Sequence, residues 1–123
     1  MWFDTSAFSG KTILSATLRL TRMTGSGAGV FVTTNIYGTT ATGASGTPAV
    51  GTKYASVDLD QGQTRTVDVT NAIAALAAGT IKGLMLYDGS TENLSTASPY
   101  TRHYAKYYGY DHSSGPQLTV TYK

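Results

Sequence analysis

The segment Tyr100 to His112 (YTRHYAKYYGYDH) holds the side chains in this sequence best suited to recognition chemistry. Five of the nine tyrosines fall between Tyr100 and Tyr110. Read as a strand over 101–108, it turns Arg102, Tyr104, Lys106 and Tyr108 to one face. His103, Ala105 and Tyr107 turn to the other, because successive side chains alternate along a strand. A tyrosine ring packs on the apolar face of a sugar and offers its hydroxyl as a polar handle. Arginine and lysine pair with carboxylates, arginine in bidentate fashion. Arg102, Tyr104, Lys106, Tyr108 and Tyr110 therefore form a candidate ligand surface for a polysaccharide or cell-surface glycan, an acidic one by preference. Two other readings stay open. Cross-strand aromatic pairs stabilise sheets, and protein interfaces are also enriched in tyrosine and arginine.

Catalytic constellations are missing from the sequence. His103 and His112 are the only histidines, too few for a three-histidine metal site, although Asp111-His112 could join a mixed one. The carboxylates are sparse: Asp4, Asp58, Asp60, Asp68, Asp88, Glu92 and Asp111. Glycoside hydrolysis needs two of them facing each other across a cleft, and nothing marks such a pair. No glycine-rich phosphate loop joins a strand to a helix. Asp58, Asp60 and Asp88 supply the oxygen ligands calcium prefers, but Asp58-Leu59-Asp60 is too short to be a calcium loop. The expectation is a protein that is not an enzyme and carries no cofactor, with structural calcium as the one alternative.

The elements that must position the tyrosines read as strands. In Ile13 to Arg22, Ala16, Leu18 and Leu20 alternate with Thr17, Arg19 and Thr21, the period of a half-buried strand. Val30 to Tyr37 repeats the pattern, with Val30, Val32 and Ile36 on one face. Gly38 to Gly51 reads as a surface loop. Ala55, Val57 and Leu59 alternate with Tyr54, Ser56 and Asp58, and a turn at Gln61-Gly62-Gln63 leads to a short strand over Arg65 to Val69. Lys82 to Asp88 is the most apolar strand and reads as central, and Gln117 to Tyr122 closes the chain. Between them, Ala72, Ile73, Leu76 and Ala77 recur at helical spacing. This predicts one short helix over 70–78, with Thr70 as its cap and Gly79 at its C-terminal end. Seven short strands and one helix predict an all-β antiparallel sandwich, jelly-roll-like, in a single domain over 1–123.

Composition agrees. The 123 residues include 21 threonines and 14 glycines, are 41% hydrophobic and only 13% charged, and contain no cysteine. β-branched and aromatic residues suit a pleated surface. A disulfide scaffold and a thiol nucleophile are excluded. A net charge of +2 is too small to argue for nucleic acid. No apolar run is long enough for membrane insertion. No signal peptide follows Met1. Trp2, the only tryptophan, suits the core or a subunit contact better than a sugar platform.

Three segments in order (WFDTSAF…TILSATLRL, VDVTNAIAALAAGTIKGLML and SSGPQLTVTY) resemble the DNRLRE-type domain, a jelly-roll module related to carbohydrate-binding modules. The matching elements are Phe3-Asp4, Ser15 to Leu20, Val67 to Thr70, Gly83 to Leu86 and Pro116 to Tyr122. The resemblance implies a jelly roll and carbohydrate binding on an extracellular or cell-surface protein, with uronate-rich glycans bound by related modules. Members of that family usually carry a strand before the Phe-Asp motif, and this chain starts at it. An open sheet edge invites pairing, so self-association or a neighbouring chain completing the sheet is a second expectation. The alternative function is then a structural or receptor-binding domain of a phage tail or capsid appendage, placing the protein on a virion.

Overall fold

The computed structural model describes residues 1, 3–24, 32–41, 51–88, 107–109 and 111–123. The element order is β1 (Ile13–Thr21), β2 (Val32–Thr39), β3 (Lys53–Leu59), β4 (Thr64–Asp68), α1 (Thr70–Ala77), β5 (Gly83–Asp88) and β6 (Gln117–Tyr122). They form two antiparallel three-stranded sheets, ordered β4–β1–β6 and β3–β2–β5. The protein is therefore an all-β, sandwich-like fold with one short helix, as the alternation predicts.

The core lies between the sheets. Ala16, Leu18 and Leu20 project from β1, Ile36 from β2, Leu59 from β3 and Leu84 from β5, all buried. Removing each leucine from water stabilises the fold by roughly 2 kcal/mol. Helix α1 adds its buried stripe of Ala72, Ile73, Leu76 and Ala77 and packs on β1. Its C-terminal end is a Schellman motif. Gly79 takes φ +75°, its N–H donates to the Leu76 carbonyl, and the Thr80 N–H donates to the Ala75 carbonyl. Thr70 does not cap the helix: the cap position is Val69, which makes no side-chain bond. The Thr70 hydroxyl is instead drawn to Asp68 Oδ1 at 2.7 Å, and the Ala16 N–H donates to it at 3.0 Å.

The inward phase of β1 continues to Arg22, which is fully buried and donates from Nη1 to the Leu59 carbonyl at 2.8 Å. Thr34, also buried, hydrogen-bonds the Tyr107 hydroxyl. One end of the sandwich interior is thus polar.

Several expectations need correction. Among the described strands β2, and not Lys82 to Asp88, holds the centre of its sheet, and β5 pairs with β2 alone. Its run of apolar residues reflects two differently used faces. Leu84 and Leu86 pack on the core, while Met85 and Tyr87 face away. Gly38 belongs to β2 and not to a loop. A Cβ there would lie 2.9 Å from both Ile81 Cγ2 and Tyr54 Cε2, so only glycine fits. Tyr54 packs against the core instead of sharing the outward phase of Ser56 and Asp58, because the β2–β3 register slips by one residue at that point. Six of the seven expected strands fall among the described residues. The candidate strand over 101–108 lies outside the described residues except at its end, where Tyr107 forms an isolated bridge with Arg22. Val30 and Trp2 also lie outside the described residues.

Candidate functional site: two tyrosine groups on one sandwich

Of the ligand residues expected from sequence, Arg102, Tyr104, Lys106 and Tyr110 lie outside the described residues. Tyr108 is half-buried, and its ring stacks on His112 with centroids 4.0 Å apart and planes at 19°. The turn before β6 orients that imidazole. The His112 N–H donates to the Gly109 carbonyl, and the Ser114 N–H donates to His112 Nδ1 at 3.0 Å. Tyr107 and Tyr108 also line a mostly apolar pocket of about 520 Å³ with Met1, Phe3, Leu86 and Pro116. Neighbours in sequence, the two rings play different parts: Tyr107 reaches inward to Thr34, while Tyr108 lies against His112.

A second tyrosine group was not singled out from sequence. The β2 residues Thr33, Asn35 and Tyr37 alternate with core-facing Thr34 and Ile36, so they occupy the sheet face turned away from the core. The β-register sets Asn35 opposite both Ser56 on β3 and Tyr87 on β5, and Tyr37 opposite Met85. The Tyr37 and Tyr87 rings meet edge to face, centroids 6.0 Å apart at 80°, a favourable arrangement for aromatic pairs. The Ser56 hydroxyl donates to Asn35 Oδ1 at 2.6 Å, and the Thr33 hydroxyl donates to Asp58 Oδ1 at 2.7 Å. Asn35 is only 4% exposed although it points away from the core, whereas Ser56 and Asp58 are exposed. Asn35 is therefore covered while its neighbours on β3 meet solvent. The sequence carries half of this signal, since Asn35-x-Tyr37 and Met85-x-Tyr87 sit in strand alternation. Their meeting on one face depends on β2 and β5 being neighbours, which no local pattern reveals.

Asp58 and Asp60, two of the residues weighed for calcium, line a small recess of about 210 Å³ together with Gln63 and Arg65. The Asp60 N–H is satisfied by Gln63 Oε1 at 2.9 Å. Arg65 adds a positive charge to the lining of the same recess. Among the described residues, no group of three or more histidine or acidic side chains comes together. Among them, too, no helix is long and apolar enough to cross a membrane.

Comparison with protein-family models, with curated proteins and with solved structures finds no match. The likeness to the DNRLRE-type domain therefore rests on the sequence motifs alone.

Proposed function

We propose that this chain is a non-catalytic carbohydrate-binding module that lays a polysaccharide across the outer face of β3–β2–β5. One observation carries the reading. The Tyr37–Tyr87 pair stands on that face beside Asn35, Ser56, Thr33 and Asp58, which join apolar rings to hydrogen-bond donors and acceptors. A glycan chain needs both: rings for its C–H faces, and polar groups for hydroxyls that otherwise lose water without replacement. Arg102 and Lys106 give the expectation of an acidic polysaccharide its chemical basis. Such a module acts outside the cell, at a cell surface or on a virion. The test is affinity electrophoresis of the protein in gels containing neutral or uronate polysaccharides. Retardation that saturates, and that is lost in Tyr87→Ala with an unchanged melting temperature, supports the reading. Mobility unaffected by every polysaccharide would refute it.

A specific observation also favours the assembly reading. The Met1 amine donates to the Leu84 carbonyl at 2.6 Å, and the Leu84 N–H donates to the Met1 carbonyl at 2.9 Å. This reciprocal exchange is the unit of antiparallel pairing, so the β5 edge already accepts added backbone. Light scattering after size exclusion decides the matter. A stable oligomer supports a component completed by its neighbours, as in a phage appendage. A monomer at all concentrations removes that reading.

A further inference from the structure

Two register slips, one in each sheet, lead to the same place. On β1, Ile13 pairs with Tyr122 and Ser15 with Thr121, so Leu14 stands opposite no residue of β6. On β3, Ala55 pairs with Ile36 and Lys53 with Tyr37, so Tyr54 stands opposite no residue of β2. Such bulges re-aim side chains and are frequent beside binding sites. Leu14 and Tyr54 line one cavity of about 580 Å³, together with Ser15, Asp68, Thr70 and Asn71. That volume falls within the range of small-molecule sites.

The lining is chemically specific. Leu14 is 52% exposed, which is unusual for a leucine with a core available two residues away. Tyr54 is held in place, its ring lying against Gly38. Apolar surface thus flanks the cavity from both sheets. The polar groups between are organised in advance. Asp68 Oδ1 accepts from the Thr70 N–H at 2.8 Å and from its hydroxyl at 2.7 Å, and the Thr70 hydroxyl is itself tied to β1 through the Ala16 N–H. These bonds also favour the ionised carboxylate and hold the Asp68 carboxyl below its ordinary pKa. Asn71, exposed at the rim, brings both a donor and an acceptor.

We propose that the cavity between Leu14, Tyr54, Asp68 and Asn71 is a second carbohydrate site, specific for a neutral or amino sugar residue. Carboxylate and carboxamide bind neighbouring hydroxyls, while Leu14 and Tyr54 take the sugar's C–H face. The fixed anion accepts an ammonium group and repels a uronate, phosphate or sulfate. The site does not depend on the Tyr37–Tyr87 face and lies on different residues.

The experiment follows the Asn71 side-chain amide signal by NMR during titration with glucosamine oligosaccharides, their N-acetylated forms and galacturonic acid oligosaccharides. The first two sugars shift that signal in a saturable manner and the third does not. Leu14→Ala, at an exposed position, weakens binding at least fivefold with an unchanged melting temperature. Asp68→Asn removes the preference for the amino sugar over its N-acetylated form. Tyr87→Ala leaves these results as they are, which separates this site from the proposed glycan face. An unmoved Asn71 signal, equal response to the uronate, or binding indifferent to Leu14→Ala would each overturn the proposal.

Discussion

The two sheets of this sandwich turn very different surfaces to the outside. The outward face of β4–β1–β6 carries Thr17, Thr21, Thr64, Thr66, Thr119 and Thr121 around Arg19, paired across the strands as Thr17 with Thr119 and Thr21 with Thr64. The Thr21 and Thr64 hydroxyls bond each other at 2.9 Å. None of these residues brings an aromatic ring. Threonine's branched side chain suits an extended backbone and its hydroxyl suits water, so this surface explains itself as the wet side of a sheet. The outward face of β3–β2–β5 places Tyr37, Tyr87, Met85 and a buried Asn35 where the same logic asks for threonine. The two faces thus differ in composition, and that difference is what the proposed glycan face predicts.

The largest effect that tests this contrast is in binding. Tyr37→Thr with Tyr87→Thr makes the second face resemble the first, and glycan retention then falls at least tenfold. Thr66→Ala with Thr119→Ala leaves it unchanged, with both pairs compared in the same affinity gel. Equal losses from the two pairs would dissolve the distinction. Stability gives the next effect. Asn35→Ala removes the acceptor of the Ser56 hydroxyl at a buried position and costs about 1–2 kcal/mol in urea denaturation. Thr119→Ala, exposed on the other face, costs about 0.5 kcal/mol. If Thr119→Ala proved the costlier, the threonine face would have a packing role that its exposure does not suggest.

What the sequence revealed follows from the range of the forces involved. The alternation in Ile13 to Leu20 records burial residue by residue, and β1 buries Ala16, Leu18 and Leu20 as read. Helix α1 was equally legible, because Ala72, Ile73, Leu76 and Ala77 repeat at one period and Gly79 marks the stop. The position of β5 was not legible. Apolar content reports that both faces are apolar, not which strands stand alongside, so Met85 and Tyr87 suggest a central strand where β2 is the central one among the described strands. Tyr54 escaped for a related reason: a one-residue slip reverses a side chain's direction, and the ring it re-aims packs against Gly38, distant in sequence. At the candidate site, local clustering drew notice to Tyr100–Tyr110. The Tyr37–Tyr87 pair shows locally only that each ring sits in strand alternation; their meeting depends on β2 and β5 being neighbours.

The smallest effect concerns Asp68, which sits on the threonine face opposite Thr17. Its carboxyl pKa is lowered first by the Thr70 hydroxyl and then by the Thr70 N–H, both of which favour the ionised form. The folded protein therefore holds this proton less tightly than the unfolded chain does. The stability gained is complete above the ordinary aspartate value and disappears as pH falls through the lower native value. Denaturant midpoints measured from pH 6 to pH 2 should show Asp68→Asn slightly less stable than the parent at the upper end. The two curves should converge at the lower end, where the parent has lost its advantage. Because the group is fully exposed, the difference is small. Parallel curves would mean that Asp68 titrates alike in the folded and unfolded chains. The Asp68–Thr70 pairing would then be a local turn that contributes nothing to folding.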